Sequence, residues 1–237
     1  MAENGTINES DPTGEQISVT PTKIAALTKF SRESAMDSNP AIADMVGKNL
    51  SRSIALGIDL GFFEGTGASN QPTGLKNTAN ITTDSTTTGT NGSAPTNLDF
   101  ILKALGTLSQ QNANMDRAVI VMHSRTWAEL TQLKDSQNRY LLNAVQTGGA
   151  PARSIDGVPV FLSNQLSTTE TQGTGTTCSS VYAYDASQII VVKAHDMRLE
   201  ASQDAYFSTD EIGIRCIARV GFAVPNPKAV VRVSGVL

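Results

Sequence analysis

Residue types that commonly support catalysis, metal binding and disulfide frameworks are scarce in this sequence. Its 237 residues include two cysteines, two histidines, one tryptophan and only 5% aromatic residues. Cys178 and Cys216 are too few for a disulfide framework and lack metal-ligand spacing, so we interpret them as small buried residues in a reducing compartment. No apolar run approaches the roughly 20 residues that cross a bilayer, and the acidic, polar N-terminus is unlike a signal peptide. The sequence predicts a protein that is made and kept in the cytosol.

Positive charge is also limited. The chain has 18 Lys and Arg residues against 22 Asp and Glu residues, which gives a net charge of −4 at pH 7. A domain that binds nucleic acid through counterion release needs Lys and Arg clustered on one face, so we expect contact with DNA to be weak or indirect. Apolar residues make up 39% of the chain, which is enough for a core in one large domain or two modest ones.

The potential catalytic groups do not form a recognised constellation. His123 and His195 lie in unrelated contexts, and neither is near a nucleophile motif such as GxSxG. We interpret His123, at the end of a predicted strand, as structural. The segment Gly65-Thr66-Gly67 follows a predicted helix, whereas a phosphate-binding loop follows a strand and precedes a helix, so we reject a nucleotide site there.

The carboxylates and the potential metal ligands of the sequence also give no indication of a catalytic or metal site. Asp210 and Glu211 are adjacent, and on a strand they would point to opposite faces, so we interpret them as a solvated pair rather than as an acid and a base. No His, Cys, Asp and Glu residues have the spacing of a zinc or calcium site. The sequence therefore predicts no enzyme activity, no catalytic residues, no cofactor and no metal.

The N-terminal part of the chain combines an exposed segment with a strand. Residues 1–16 are acidic and rich in turn formers, so we expect an exposed arm or loop end. Apolar Ile17 and Val19 then alternate with polar residues, and β-tolerant residues continue from Lys23 to Phe30. This pattern predicts one long or broken strand.

A long helix is predicted next. Asp37, Ser38 and Asn39 supply capping side chains before Pro40, which loses no hydrogen bond in a first helical turn. Apolar residues recur at four-residue spacing and predict a helix over about 40–64. About 24 residues at 1.5 Å each would span about 36 Å, so we expect this helix to be the backbone of the molecule.

The middle of the chain mixes loops, helices and a strand. Residues 76–95 are rich in Thr, Ser, Asn and Gly, so we predict an exposed loop, mobile from about residue 77, that a protease would cut first. Thr96 or Asn97 caps a predicted helix that ends near Asn112. A buried strand is predicted at Ala118–Met122, and a short helix from Ser124 through Leu133.

Short strands dominate the second half. A stretch from Ile212 to Val224 alternates apolar with polar residues, as expected for a long strand with one buried face. Because helices do not alternate regularly with strands, the predicted fold class is α+β. The other strands are predicted at Val158–Leu162, Val181–Tyr184, Ile189–Lys193, Met197–Ala201 and Ala229–Val233.

Several segments, in order along the chain, carry a family resemblance. They are IALGIDLGFFEGTG, QPTGL, SRTWAELTQLKDSQNRYL, DGVPVFLS, VYAYDAS and FSTDEIGIRCIARVGFAVPNPKAVV. Together they resemble the major capsid proteins of tailed bacteriophages, which have the Hong Kong 97-type capsid fold. The first two segments are similar to the spine helix of that family and its glycine-marked exit. The third is similar to its (R)xWxxLxxLKDxxGxY segment, and the others to its closing half.

The resemblance assigns structural roles to residues of these segments. Asn138 stands where the family commonly has glycine, and asparagine is the other residue that best tolerates a left-handed turn, so we expect the turn to persist. The residues matched by the family pattern are Asp59, Gly65, Gly67, Gly74, Trp127, Lys134, Asp135, Tyr140, Gly157, Pro159, Asp185 and Arg219.

The resemblance also implies an L-shaped subunit with two domains. The peripheral domain would take residues 17–75 and 196–223 and contain the spine helix. The axial domain would take residues 96–195 and 224–237. Residues 1–16 would be the remnant of an extended arm that reaches over an adjacent subunit, with the N-terminal arm and the outgoing half of the extended loop missing.

The function implied by the resemblance is that of a major capsid protein of a phage or prophage, which self-assembles into pentamers and hexamers of an icosahedral head shell around the genome. Broad polar contacts repeated by symmetry would hold the shell together. Scaffold, portal or decoration proteins would be further partners, and the enclosed double-stranded DNA would be contacted only indirectly. The location would be the virion capsid after assembly in the host cytoplasm, without a membrane or a cofactor.

Two alternatives remain open. Within the same fold, an encapsulin-type compartment shell would hold cargo enzymes in place of a genome. From another class, a carbohydrate-binding or enzymatic domain would need a concealed site in the Thr-rich loop, and a pocket lined by charged groups would favour it.

Two further expectations concern assembly. In some members of the family a side-chain isopeptide bond joins a Lys to an Asn, with a Glu as base, but the matching positions here are Ile7, Asp210 and Ile217, so we expect no covalent link. Because part of the extended arm would be missing, we expect monomers or small rings in solution rather than closed shells.

Overall fold

The computed structural model describes residues 16–37, 41–142 and 153–237. Helices and strands are mixed without regular alternation, which confirms the predicted α+β class. No helix in the described ranges is long and apolar enough to cross a membrane. The helices are α1 (Arg32–Asp37), α2 (Ala41–Glu64), α3 (Asp99–Gln110) and α4 (Ser124–Gln132). The strands are β1 (Thr22–Ser31), β2 (Thr82–Asp84), β3 (Ala118–Met122), β4 (Ser154–Ile155), β5 (Val158–Leu162), β6 (Glu170–Gln172), β7 (Gly175–Asp185), β8 (Ile190–Tyr206), β9 (Glu211–Ala223) and β10 (Val230–Val236).

The first sheet is three-stranded and antiparallel, with the strand order β1, β9, β8. Alternation along β9 turns Ile214, Cys216 and Ala218 to one face, where they are buried against α2. Leu50 and Ile54 of α2 cover this face, because residues four apart lie on the same side of a helix. The opposite face of the sheet is exposed along β1 and β8.

The second sheet contains the remaining strands in the order β2, β10, β7, β3, β5, β4, with β6 paired to β7 outside that path. Helix α3 covers one face. Its Ile101, Leu105 and Leu108 have the spacing of a single helix stripe and are buried in one cluster with Ile120 and Met122 of β3.

The C-terminal end of α2 packs on the other face of the second sheet. The ring of Phe63 lies 5.6 Å from that of Tyr182, measured between centroids, in a buried cluster that includes Val121 and Val230. Strand β3 is covered on both faces, which explains why its sequence is an unbroken apolar run. The prediction of a buried strand at Ala118–Met122 is confirmed. Helix α2 therefore joins the two sheets.

Strand β8 differs from the prediction of two strands at Ile189–Lys193 and Met197–Ala201. It is one strand that pairs with β9 from Ile190 to Tyr206, with shifts of register around His195. The prediction of two strands was wrong because a bulge interrupts the alternation of side chains while backbone pairing continues on either side of it.

The segment predicted as an exposed loop contains a strand. Strand β2 pairs in parallel with β10, with Thr82 opposite Val231. Further along, the Thr88 hydroxyl donates a hydrogen bond to Ser234 O at 2.7 Å, and Thr88 is only 4% exposed. Pairing with the apolar strand β10 keeps part of this polar stretch in a strand. Strand formation depends more on the neighbouring strands than on the composition of the segment itself. The prediction of an exposed loop over the whole of 76–95 was therefore wrong.

The beginning of the chain matches the predictions in part. Strand β1 confirms the strand at Lys23–Phe30, whereas residues 17–21 lie outside strands. Pro21, directly before β1, has no N–H to donate to a neighbouring strand. Helix α2 ends at Glu64 as predicted. Residues 1–15 and 38–40, with the predicted arm and most of the predicted cap of α2, lie outside the described residues.

Candidate functional site

The chain leaves α2 through a compact turn that brings three of the matched glycines together. Gly74 N–H donates a hydrogen bond to Gly65 O at 2.9 Å, and Gly67 N–H donates to Pro72 O at 3.2 Å. A Cβ on Gly65 would lie 2.2 Å from Pro72 O, and one on Gly74 would lie 2.6 Å from Gly65 N. Gly67 has a φ of +72°, which other residues rarely adopt. Close backbone contact therefore excludes side chains from this turn.

A group of ionised side chains fastens the turn to the second sheet. Lys76 Nζ lies 2.6 Å from Glu64 Oε2 and 2.8 Å from Glu170 Oε1. On the other side of Glu170, Arg232 Nη2 lies 3.1 Å from Oε2, and Ser180 Oγ donates a hydrogen bond to the same oxygen at 2.5 Å. We call Glu64, Lys76, Glu170 and Arg232 the charge network. Their wide separation in sequence left no pattern from which the network could be predicted.

Burial and hydrogen bonding oppose each other in the charge network. The Glu170 side chain is 7% exposed. Desolvation acts to raise the pKa of Glu170, but hydrogen bonds from Lys76 and Ser180 outweigh it and hold the pKa below its usual value. Desolvation acts to lower the pKa of Lys76, and its contacts with Glu170 and Glu64 raise it instead. Both groups stay charged at neutral pH.

Two matched carboxylates hold other segments in place. Asp185 is 2% exposed and accepts hydrogen bonds from the N–H groups of Asn114 at 3.0 Å and Ser187 at 2.9 Å. Desolvation acts to raise the pKa of Asp185, but the hydrogen bonds of Ser187 and Asn114 outweigh it and lower that pKa. Asp59 of α2 accepts a hydrogen bond from Ser163 Oγ, which ties the helix to the segment after β5.

The segment after α4 forms a closed turn around Asp135. Its carboxylate accepts hydrogen bonds from the N–H groups of Gln137 at 2.8 Å and Arg139 at 2.9 Å, and its carbonyl oxygen accepts one from Asn138 N–H at 3.0 Å. Asn138 has a φ of +65°, which confirms the predicted left-handed conformation at this position.

Two further matched residues flank this turn, and a third lies in α4. Lys134 and Tyr140 form an antiparallel bridge across it, and Lys134 Nζ lies 4.8 Å from the centre of the Tyr140 ring. Tyr140 is 53% exposed. Trp127 of α4 packs at the edge of the core beneath α3. The segment therefore presents an ordered aromatic and cationic surface outside that core.

The remaining matched residues lie elsewhere. Asp156 and Gly157, with φ values of +52° and +77°, form the tight turn between β4 and β5, as two-residue hairpins require. Pro159 pairs with Ser154 in that hairpin. Arg219 is exposed on the first sheet. The matched residues therefore do not form one site but mark separate turns and surfaces of the subunit.

His123 has a structural contact, as the sequence predicts. Its Nδ1 accepts a hydrogen bond from Arg125 N–H at 3.0 Å and so caps the first turn of α4. Desolvation and the nearby Arg125 charge lower the pKa of His123, which keeps the ring neutral and able to accept.

Asp210 and Glu211 lie at the solvent-accessible surface, as predicted, but each also forms an ion pair. Asp210 precedes β9 with a φ of +49°, and its carboxylate lies 3.1 Å from Arg32 Nε. Glu211 lies 2.6 Å from Lys29 Nζ. The turn between β8 and β9 redirects Asp210, so each carboxylate meets its own cation.

Few features of the described residues suit a bound ligand. No group of three or more His, Cys, Asp or Glu residues in this part of the chain could hold a metal ion. Cys178 and Cys216 are both buried and unpaired, as predicted. The Thr-rich stretch borders a cavity of about 140 Å³ whose lining includes Thr88, Asn97 and one charged side chain, Asp99. A single carboxylate is a poor basis for chemistry that needs both an acid and a base.

Two sheets are joined by one long helix, and the matched residues are spread over turns and exposed surfaces. Comparison with known proteins identifies the family that has this architecture. The model of the phage capsid family matches residues 1–235. The chain therefore belongs to the phage capsid family, and its function is to build a capsid shell.

Solved structures share this fold at low sequence identity. The capsid of a native GTA particle computed with C5 symmetry aligns with a TM-score of 0.75 and 19% identity, over 100% of this chain and 80% of that chain. A structure from Gordonia phage Cozz aligns with a TM-score of 0.68 and 16% identity, over 98% and 78%. The structure of a virus-like particle from Pyrococcus furiosus aligns with a TM-score of 0.58 and 15% identity, over 92% of this chain and 78% of that chain. No curated protein gives a significant match.

Proposed function

We propose that the chain is the repeating subunit of a tailed-phage-type head and that its copies associate into five- and six-membered rings of an icosahedral shell. The observation that carries this proposal is the family match over residues 1–235. The structure supports it through α2, which is anchored in both sheets and can transmit load between them. Repeated weak contacts between rigid subunits are sufficient to stabilise a closed shell.

The two sheets support a division into a peripheral and an axial domain. The first sheet with most of α2 corresponds to the proposed peripheral domain, and the second sheet with α3 and α4 to the axial domain. Because β8 pairs with β9 along its whole length, we place residues 190–206 in the peripheral domain, which moves the boundary from residue 196 to residue 190. Residues 76–95 go with the axial domain because β2 pairs with β10.

A phage head is favoured over a compartment shell for cargo enzymes. The alignments with the GTA particle and with phage Cozz, at TM-scores of 0.75 and 0.68, are better than that with the virus-like particle, at 0.58. The proposal includes a location in the virion after assembly in the host cytoplasm. It also includes contacts with scaffold, portal or decoration proteins and indirect contact with packaged double-stranded DNA. We further propose that the role is purely structural, without enzyme activity.

Size-exclusion chromatography with light scattering tests the proposal. We expect the apparent mass to rise with protein concentration from the monomer towards five or six subunits, since ring contacts are weak individually. A chain that stays monomeric or stops at a dimer over the whole accessible range would overturn it. In particles isolated from a host, packaged DNA would support the phage head, and enzyme cargo without DNA would support the compartment shell.

A further inference from the structure

The Thr-rich stretch contains an Asn-Gly pair, Asn91 and Gly92, that lies against the turn between β6 and β7. Asn91 is exposed, and its side-chain oxygen Oδ1 accepts a hydrogen bond from Thr174 N–H at 3.1 Å. Directly after the pair, Ser93 N–H donates a hydrogen bond to Gly235 O at 3.0 Å. The Asn-Gly pair is therefore held between two segments of the second sheet, the turn after β6 and the end of β10.

The packing of the second sheet requires glycine at position 92. Gly92 has a φ of +72°, which other residues rarely adopt. A Cβ at this position would lie 2.7 Å from Cys178 Sγ and 2.8 Å from Gly235 O. A side chain after Asn91 would hinder attack on the Asn91 carboxamide by the following backbone nitrogen. Because the fold excludes that side chain, it leaves the carboxamide open to this attack.

The hydrogen bonds around the pair favour a reaction between its two residues. Among the residues that the structure describes, none accepts a hydrogen bond from Gly92 N–H, so this nitrogen is not engaged in the sheet. Thr174 N–H donates to Oδ1, the atom on which negative charge develops when a nucleophile attacks the carboxamide, as a donor of an oxyanion hole does. Within the same described part of the chain, Asn91 Nδ2 donates no hydrogen bond, so it can leave without breaking a contact.

We propose that Asn91 is a site of spontaneous deamidation. The Gly92 nitrogen gives up its proton to hydroxide and forms a bond to Asn91 Cγ, while the Cγ–Nδ2 bond breaks and the side-chain nitrogen takes a proton from water and leaves as ammonia. Water then opens the cyclic succinimide at either of its carbonyls, which gives aspartate or isoaspartate. Water and hydroxide are the only co-reactants. The modification needs a single subunit, so it goes beyond the proposed function and does not rest on it.

The two products differ in their effect on the fold. Aspartate keeps a side-chain oxygen in the same place, so the hydrogen bond from Thr174 N–H persists. Isoaspartate carries the main chain through the side-chain carbons and lengthens it before Gly92, which moves Ser93 out of register with Gly235. We expect the isoaspartate form to open residues 85–95 locally, because the hydrogen bonds of this segment to β10 follow directly on the altered linkage.

Ageing of the full chain in mildly alkaline buffer, followed by peptide mapping with mass spectrometry, tests the site. We expect Asn91 to convert before Asn80, Asn112 and Asn138, which precede residues with side chains. Both isoaspartate and aspartate should form, because water can open either carbonyl of the succinimide. A synthetic peptide of residues 87–95 is the reference. The folded chain should convert about tenfold faster than this peptide, which lacks the N–H donor of Thr174.

Variants at residue 174 isolate the contribution of the N–H donor. Thr174→Pro removes the N–H and should convert at the rate of the peptide, whereas Thr174→Ala keeps it and should convert like the parent. Urea unfolding shows whether the proline variant is folded. If it is not, the parent chain measured in native buffer and in urea gives the same comparison, and we expect the slower conversion in urea. Asn91→Gln keeps the acceptor on a longer side chain and should stay unmodified.

Limited proteolysis measures the effect on the loop. Aged parent protein should be cut within residues 85–95 faster than fresh protein, and aged Asn91→Gln should be cut no faster than its fresh form. The inference is overturned if Asn91 in the folded chain outlasts Asn91 in the peptide, or if folded Thr174→Pro and Thr174→Ala variants convert at equal rates. Aspartate formed without isoaspartate would rule out the succinimide route. Equal cutting of aged and fresh parent protein would rule out the opening of the loop.

Discussion

Gly65 and Gly74 approach each other so closely that Gly74 N–H donates a 2.9 Å hydrogen bond to Gly65 O, and this contact closes the turn at the end of α2. The turn determines where the chain passes from the long helix to the second sheet. It also positions Lys76 two residues later, at the centre of the charge network. Because this turn requires that neither Gly65 nor Gly74 has a side chain, adding a methyl group at one of them tests it.

We expect Gly65→Ala to destabilise the protein by about 1–3 kcal/mol or more, because the new Cβ would lie 2.2 Å from Pro72 O and the backbone must move. Gly106→Ala is the matched control. Gly106 lies within α3 with open space around it, so alanine should stabilise the helix by up to about 1 kcal/mol. Urea unfolding of both variants measures the difference, and equal stabilities would contradict the close packing of the turn.

Removing the central anion of the charge network should cost more than removing a surface anion. We expect Glu170→Gln to lower the free energy of unfolding by about 3 kcal/mol, because Lys76 and Arg232 would lose their shared partner while remaining largely buried. The control is Asp44→Asn, which breaks the exposed pair with Lys48 and should cost less than about 0.5 kcal/mol. Similar losses in the two variants would show that the network contributes no more than a surface pair.

The charge network also predicts the direction of the pH dependence. The pKa of Glu170 in the folded state lies below its ordinary value of 4.5, so the folded state binds the proton less readily than the unfolded state. Its stabilisation is complete above the unfolded-state pKa and is lost as the pH falls through the folded-state pKa. The lowered pKa of Asp185 acts in the same direction.

We therefore expect urea midpoints to fall as the pH is lowered below 4.5. Glu170→Gln should decline less steeply than the parent, because one of the linked protons is gone. Parallel declines in the two proteins would mean that Glu170 is not part of the acid response.

The left-handed conformation of Asn138 gives a test at an exposed turn. With a φ of +65°, glycine should be accepted there with a change of less than about 0.5 kcal/mol, whereas a β-branched valine should cost about 1–2 kcal/mol. Thermal melts of Asn138→Gly and Asn138→Val can show this order. A valine variant as stable as the glycine variant would argue for a different backbone at this turn.

Assembled material should contain no covalent links between subunits. Asp210 already pairs with Arg32 at 3.1 Å, and Ile217 offers an aliphatic side chain where a general base would be needed. The third matching position, Ile7, has no amine and lies outside the described residues. Denaturing gels should therefore show a single monomer band, and a ladder of higher bands would refute the prediction.

Local patterns predicted most elements of the fold because the residues that decide them are neighbours in sequence. The stripe on α2 and the apolar run of β3 are both local signals, and each element has the predicted end points or nearly so. The left-handed conformation of Asn138 was predicted from residue chemistry at one position, aided by the family resemblance.

The parts that sequence reasoning missed depend on distant residues. Glu64, Lys76, Glu170 and Arg232 meet only after the turn beyond α2 and the pairing of β6, β7 and β10 are formed. Strand β2 exists because β10 lies beside it. The exposed cations of the first sheet were also missed, since the net charge of the chain cannot show that alternation places Lys23 and Arg219 on one side of that sheet.

The central claim, that this chain is a shell subunit, is tested most directly by cryo-electron microscopy of the purified protein concentrated at low salt. We expect class averages with five- or six-fold symmetry, in which α2 and the two sheets can be fitted into each repeating unit. Particles that are all monomers, or dimers with a single two-fold axis, at every concentration would contradict the account.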